Sequence, residues 1–218
     1  MADEGKALQL VNWVVDSAIE GVPTMKSAKA LAEEYLADNR YDSNDSRTES
    51  LINWETSKNF TTGFITGLGG ALTLPVSIPS ALGASWVIQA RMSGAIALIY
   101  GHDIDSDRAR SFVLMSLLGD ACKEILKEVG VKITTKITEK CLMSIPGRLF
   151  IEINKQVGFR LLTKAGEKGV INLIRCIPIA GGAVSGGIDA ITCKGVGATA
   201  IMLFRTVRTA IQANDGGE

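Results

Sequence analysis

The sequence predicts an all-α fold, a compact bundle of about eight helices in which two glycine-rich apolar segments pack together. Apolar residues recur at three- and four-residue spacing along most of the chain, which is the period of a helix with one buried face. Proline and glycine interrupt this pattern at intervals that suit helices of ordinary length. With 218 residues, 46% of them apolar, the chain can build one domain with a sizeable core.

The first quarter of the chain predicts two helices and a polar connector. A helix is predicted over residues 7–22 by four apolar residues at helical spacing: Leu8, Val11, Val15 and Ile19. Pro23 interrupts this pattern, and a second helix is predicted to end near residue 36. Residues 38–50 contain a single residue with an apolar body, Tyr41, and therefore predict a connector.

Prolines and glycines bound the predicted helices in the middle of the chain. One helix is predicted over residues 51–73 and the next over residues 79–100. Gly101 then supplies a C-terminal stop. A third helix is predicted over residues 106–129, and Gly130 ends it.

The last third of the chain also favours helices. Residues 131–144 fit both strand alternation and helical spacing, and the longer four-residue lattice favours a helix. A helix over residues 147–164 is predicted to be followed by a glycine turn at 166–169 and a short helix to residue 176. The final helix is predicted to end near residue 213.

Two apolar, glycine-rich segments stand out. Residues 59–90 carry no formal charge, and this run is longer than the roughly 20 residues that span a bilayer. Residues 176–188 form a shorter uncharged run. Both contain small residues four apart, which let two helix backbones approach closely. A tight helix pair in a soluble core, an in-plane or re-entrant membrane insertion, and a transmembrane hairpin are all compatible with this composition. The predicted helix-packing residues are Gly63, Gly67, Gly182 and Gly186.

Polar residues beside these segments are candidates for a shared polar pocket. Arg91 lies inside an apolar helix, where an unpaired cation is costly, so it needs a partner. Asp189, which directly follows the other glycine-rich segment, is the carboxylate predicted to be that partner. Gln89 and His102 flank the same apolar helix and complete the predicted pocket.

The net charge is zero, with 23 basic and 23 acidic residues, but the charges are unevenly placed. Residues 1–57 carry 5 basic and 11 acidic side chains, whereas residues 123–175 carry 11 basic and 5 acidic ones. We expect an acidic N-terminal region with its connector over 1–50 and a helical domain over 51–213. The basic stripes of the second region predict either a solvated face or a contact with anionic lipid or phosphate. The candidates for that contact are Lys132, Lys136, Lys140, Arg160, Lys164 and Lys168.

Several classes of function are disfavoured. A single histidine and the absence of HExxH and GxxxxGK[ST] motifs remove the commonest hydrolytic and nucleotide-binding signatures. The four cysteines are widely spaced and predict buried thiols, so we expect neither a metal nor a cofactor. Zero net charge argues against a nucleic-acid binder. The acidic start, Asp3 and Glu4, argues against export.

Three long blocks of sequence carry a family resemblance. They are IPSALGASWVIQARMSGAIALIYGHDIDSD (residues 78–107), IEINKQVGFRLLTKAGEKGVINL (151–173) and IPIAGGAVSGGIDAITCKGVGATA (177–200). In this order they resemble the EcsC family of bacterial proteins. The family is named from its association with the Ecs ABC transporter operon. The resemblance implies a helical, membrane-associated protein and brings no catalytic residue with it.

We therefore expect a non-catalytic protein that acts at the cytoplasmic face of a membrane, bound peripherally, in support of a transport or envelope process. Its expected partners are anionic lipids, with a membrane transport complex or a second copy of the chain as candidates. One alternative is a soluble enzyme or carrier that acts on a lipid or another hydrophobic substrate. The other alternative is a self-associating interaction module.

Overall fold

The computed structural model describes residues 2–23, 25–59, 80–132, 137–174 and 191–205. Over these residues the chain is helical and forms no β-sheet, so the predicted all-α class is confirmed. The helices are α1 (Ala2–Glu20), α2 (Ala28–Ala37), α3 (Asn44–Asn59), α4 (Ser80–Ile99), α5 (Asp107–Ser116), α6 (Cys122–Glu128), α7 (Glu139–Met143), α8 (Arg148–Ile174) and α9, which is helical over residues 191–205.

Helix α4 lies at the centre of the packing. Helices α1, α2, α3 and α5 all pack against it, and α8 packs against α1, α5 and α6. From Trp86 to Tyr100 every residue of α4 and its end is buried except the partly exposed Leu98. A helix that is apolar on all sides needs neighbours on all sides, and the surrounding helices supply them.

One hydrophobic core joins both ends of the chain. It includes Leu10 of α1, Ile96 of α4, Ile153 of α8 and Phe204 of α9. The predicted division at residue 50 stays a prediction; that cut would fall within α3, and apolar residues on both sides of it share this core.

Glycines end the helices where the sequence predicted stops. Gly101 follows α4 with φ +84°, and Gly130 follows α6 with φ +82°. This left-handed backbone conformation costs glycine little and other residues more, which explains why the helices end there.

Helix α3 begins inside the segment that was predicted to be a connector. It starts at Asn44 because the Ser43 hydroxyl caps it, accepting a hydrogen bond from the Ser46 N–H at 3.1 Å. Most of its residues are polar and exposed, but its inner face carries Thr48 and Leu51, which are buried. The predicted connector is therefore wrong for residues 44–50.

Three other predicted helix bounds are wrong. The helix predicted over 106–129 is divided into α5 and α6, because Gly119 takes φ +57° between them. Of the described residues in 131–144, only Glu139–Met143 is helical, where Thr138 caps the start by accepting from the Cys141 N–H. The turn predicted at 166–169 is absent, since α8 continues through it to Ile174. Glycine lowers helix propensity without obliging a helix to end.

Candidate functional site

The two predicted pocket residues in α4, Gln89 and Arg91, are both buried and have different partners. The Gln89 Nε2 donates to the Ser85 hydroxyl at 3.1 Å, within the same helix. The Arg91 Nη2 donates to a carboxylate oxygen of Glu55 in α3. Residues two apart in a helix point to different sides, so these two side chains have separate surroundings.

The Arg91–Glu55 ion pair lies inside the core, with the two side chains 4% and 0% exposed. Removing a charge from water is costly unless a partner and hydrogen bonds compensate. Helix α4 therefore accommodates a cation in its apolar surface because α3 supplies the counter-charge. Within the described part of the chain, the buried Nε of Arg91 has no hydrogen-bond partner.

Glu55 is not among the pocket residues predicted from the sequence. Asp189, the predicted partner, lies outside the described residues, so the pairing of Asp189 with Arg91 stays a prediction. A signal for Glu55 was present, because Leu51, Ile52 and Glu55 share helical spacing and thus one face of α3. A carboxylate on the apolar face of a neighbouring helix is a natural partner for a buried arginine.

His102, the third predicted pocket residue, connects the end of α4 to α9. Its Nε2 donates to the backbone oxygen of Phe204 at 2.7 Å, and its ring lies 5.2 Å from the Phe204 ring, centroid to centroid. A carbonyl oxygen only accepts, so this bond places a proton on Nε2. The partly buried imidazole thus helps to hold α9 in place.

The predicted basic contact residues differ in their surroundings. Lys132 and Lys140 are exposed. Arg160 in α8 donates to Glu124 and to Glu128 of α6, each at 2.7 Å. The hydrogen bond to Glu124 is the largest of the effects that raise the pKa of Arg160 above its usual value. Lys136 and the side chains of Lys164 and Lys168 lie outside the part of the chain that the structure describes.

Apolar and basic side chains are exposed in α7 and in the first turn of α8, on either side of the short loop that joins the two helices. Met143 and Ile151 are 37% and 61% exposed. Lys140 and Arg148 are exposed beside them in the sequence. We call these four residues the α7–α8 corner. The guanidinium of Arg108 adds a third cation, since it donates to the Met143 sulfur at 3.4 Å and lies 5.9 Å from the Phe150 ring centroid.

The cations at this corner are not neutralised by nearby carboxylates in the described part of the chain. Arg108, Lys140 and Arg148 take part in none of the ion pairs there, in contrast to Arg160. Their charge is therefore available to an anionic surface. The arrangement of exposed apolar residues beside such cations is typical of contact with a lipid interface.

The predicted helix-packing glycines, Gly63, Gly67, Gly182 and Gly186, lie outside the described residues. Other glycines do allow close helix contact. A Cβ on Gly158 of α8 would lie 2.5 Å from the Ala7 backbone oxygen of α1. A Cβ on Gly197 of α9 would lie 2.5 Å from an Ile52 side-chain carbon of α3. Small residues therefore allow close helix approach in this core, at positions other than the four predicted ones.

One helix in the described part of the chain is long and apolar enough to cross a membrane. Its window, Leu82–Ile99, has a mean hydropathy of 1.3, and 83% of it is buried within the protein. The same length and composition occur in the central helix of a globular core.

The family assignment follows from a comparison along almost the whole chain. The model of the EcsC protein family matches residues 9–208. The chain belongs to the EcsC protein family. The match starts within α1 and includes α2 and α3 of this EcsC protein. Neither the curated proteins nor the solved structures contain a match to the chain.

Proposed function

We propose that this EcsC-family protein is a non-catalytic protein that binds peripherally to the cytoplasmic face of a membrane and supports a transport or envelope process. The observation that carries the proposal is the α7–α8 corner, where two apolar side chains are exposed beside cations that no carboxylate neutralises in the described part of the chain. A membrane transport complex, suggested by the family name, and a second copy of the chain are the candidate protein partners.

Two forces would hold this corner at a lipid surface. Each cation near an anionic surface contributes about 1 kcal/mol. Burial of an isoleucine side chain such as Ile151 in the headgroup region contributes about 1.5–3 kcal/mol when complete. A few such residues give reversible binding that weakens with salt, which is the behaviour of a peripheral protein.

The burial of α4 supports a peripheral mode over a spanning one. Its apolar surface is covered by α1, α2, α3 and α5, and its buried Arg91 is paired with Glu55. Transfer of α4 into a bilayer would require these contacts to be lost. The corner, in contrast, can touch lipid without any change in the core.

Vesicle cosedimentation tests the proposal. The purified protein is mixed with vesicles of phosphatidylcholine alone or with added phosphatidylglycerol. We expect binding to the anionic vesicles that falls as salt rises. The double variant Lys140→Ala/Arg148→Ala should bind these vesicles at least about tenfold more weakly, because two cations near the surface are lost. Ile151→Ser should weaken binding at high salt as well, because it removes an apolar contact.

The matched control is Lys26→Ala/Lys29→Ala, which removes two exposed lysines that pair with Glu34 and Asp105. It should bind as the unchanged protein does. Equal losses in both double variants would show that net charge alone matters, and the corner would be discarded. In cells, release from membranes by salt agrees with the proposal, whereas a wholly soluble or a carbonate-resistant protein contradicts it.

A further inference from the structure

Met143 differs in exposure from the other methionines that the structure describes. It is the last residue of α7 and is 37% exposed. Met25, Met92 and Met115 are buried, each 5% exposed or less, and Met202 of α9 is partly buried. A thioether must meet an oxidant from solution in order to react, so exposure decides which methionine is oxidised first.

The cysteines of the described part of the chain compete poorly for the same oxidant. Cys122, Cys141 and Cys193 are all buried. Burial is the main reason why the pKa of Cys122 is raised to about 11 and the pKa of Cys141 lies above its usual value. Because the thiolate is the reactive form, these two thiols react slowly at neutral pH. Among the described residues, Met143 is therefore the most accessible sulfur.

The guanidinium of Arg108 lies next to the Met143 sulfur. Its Nη1 donates to Sδ at 3.4 Å, and Arg108 takes part in no ion pair within the described ranges. A thioether sulfur is a weak hydrogen-bond acceptor. A sulfoxide is polar, and its oxygen can accept a charge-assisted hydrogen bond from the same guanidinium. Oxidation of Met143 would thus hold Arg108 at the oxidised side chain.

Oxidation would also change the apolar part of the α7–α8 corner. Met143 and Ile151 are its two exposed apolar side chains. Conversion to the sulfoxide makes a flexible apolar side chain polar, and a polar group resists transfer into an apolar environment. The cations Lys140 and Arg148 are untouched by the reaction. The contribution that oxidation removes is therefore the one that persists at high salt.

We propose that Met143 is a site of reversible oxidation by a peroxide and that its sulfoxide weakens the contact of the α7–α8 corner with lipid. A lone pair of Sδ attacks one peroxide oxygen, so that an S–O bond forms as the O–O bond breaks. The attacked oxygen passes its proton to the other oxygen, which leaves as water. The sulfur is oxidised by two electrons, and the peroxide is reduced. A sulfoxide reductase with a dithiol as reductant reverses the step, releasing water and a disulfide.

Peptide mass spectrometry tests the reactivity, which does not rest on the proposed function. The full chain is treated with hydrogen peroxide, and the sulfoxide fraction of each methionine is followed in time. In the folded protein we expect Met143 to react at least about tenfold faster than the buried Met92 and Met115, and in urea we expect similar rates for all three. Similar rates in the folded protein would overturn the inference.

The vesicle assay tests the effect on lipid contact, which rests on the proposed function. Protein with Met143 fully oxidised should bind phosphatidylglycerol vesicles about three- to tenfold more weakly at high salt, and reductase treatment should restore binding. Equal binding before and after oxidation would refute the inference and leave the corner in place. If the untreated protein fails to bind these vesicles at any salt concentration, the proposed function falls, and the effect on lipid contact falls with it.

Variants assign the effect to Met143. Met143→Leu cannot form a sulfoxide, so peroxide should leave its vesicle binding where it was before treatment. Met143→Gln carries a polar group at a similar length and should bind, without oxidation, about as weakly as the oxidised protein. The matched control is Met202→Leu, which keeps Met143 and should lose binding on oxidation as the unchanged protein does. Circular dichroism checks the folding of each variant. A loss in oxidised Met143→Leu equal to that in the unchanged protein would place the effect at another residue and refute the site.

Discussion

Arg91 and Glu55 are each tolerated in the core because the other is present. Both side chains are almost fully buried, and the carboxylate comes from α3 while the guanidinium comes from α4. Such pairs add little net stability compared with apolar residues of similar size, because desolvation offsets their attraction. Their larger effect is to destabilise any alternative packing in which one of the two charges is buried without the other. We infer that this pair fixes the position of α3 on α4.

Unfolding of the single and double variants measures the interaction between Arg91 and Glu55. Glu55→Leu alone should destabilise the protein by about 3–5 kcal/mol, because Arg91 then remains buried without a counter-charge. The double variant Glu55→Leu/Arg91→Met should lose much less than the sum of the two single variants, since both charges are gone. Urea denaturation gives the free energies of unfolding of all four proteins.

The control for this set is Glu49→Leu, which changes an exposed glutamate of the same helix. It should alter the free energy of unfolding by less than about 0.5 kcal/mol. Additive losses in the double variant would mean that the two side chains act independently, contrary to the pairing. The result also bears on the enzyme alternative, because loss of function in an Arg91 variant would then follow from instability.

At the scale of helices, close approach depends on glycines in the core. Gly158 lets α8 lie against the backbone of α1 at Ala7, and Gly197 lets α9 lie against Ile52 of α3. In the first case the neighbouring atom is backbone, which cannot rotate away. A methyl group there would separate two helices along a large contact.

Two alanine substitutions separate close packing from helix propensity. Gly158→Ala should destabilise the protein by about 1–3 kcal/mol, because the added Cβ overlaps the Ala7 carbonyl and forces α1 and α8 apart. Gly195→Ala in α9 is the matched control, since a Cβ there meets no atom within 4 Å. It should stabilise by up to about 1 kcal/mol through helix propensity alone. Thermal unfolding of both variants is the measurement, and a stabilised Gly158→Ala would contradict the packing.

The number and type of the secondary-structure elements can be predicted from the sequence better than the residues at which they begin and end. The bounds of α4 could be predicted because Gly101 stops it and Ser80 follows a proline. Helix α3 is harder to predict from the sequence, because most of its residues are polar and its few buried residues are covered only by contact with α4. Gly119 and the glycines at 166–169 have similar local signals, yet only Gly119 breaks a helix, because packing decides which glycine takes a positive φ.

For the candidate sites as well, the sequence predicts some features and tertiary contacts decide the others. The buried position of Arg91 could be predicted from its apolar neighbours, but its partner depends on how α3 crosses α4. The basic stripe could be predicted too, yet its members differ. Arg160 is engaged by Glu124 and Glu128, whereas Lys140 is not paired in the described part of the chain. Spacing places side chains on a face, and tertiary contacts decide which of them remain available.

At the scale of the whole molecule, one carboxylate joins three distant parts of the chain. Asp45, near the start of α3, accepts a hydrogen bond from the Tyr100 hydroxyl at the end of α4. It also accepts one from Arg205 of α9 at 3.1 Å. The hydrogen bond from Tyr100 is the main reason why the pKa of Asp45 is lowered. Burial, and after it the same hydrogen bond, raises the pKa of Tyr100 to about 12.

This network predicts an acid-dependent contribution to folding. Because the pKa of Asp45 is lower in the folded protein than in the unfolded chain, its stabilisation is present above the unfolded value of about 3.9. It is lost as the pH falls through the folded value. Asp45→Asn should therefore destabilise the protein at pH 7, by about 1 kcal/mol or less because Asp45 is half exposed. Near pH 3 the variant and the unchanged protein should be much closer in stability.

Urea denaturation at about pH 7, 5 and 3 tests this prediction, with Asp42→Asn as the matched control. Asp42 is an exposed neighbour in the loop before α3, so its variant should follow the unchanged protein at every pH. A difference between Asp45→Asn and the unchanged protein that stays constant from pH 7 to pH 3 would show that the charge of Asp45 is not what stabilises the fold. A difference that shrinks in acid means that protonation of one side chain loosens α3, the end of α4 and α9 from one another.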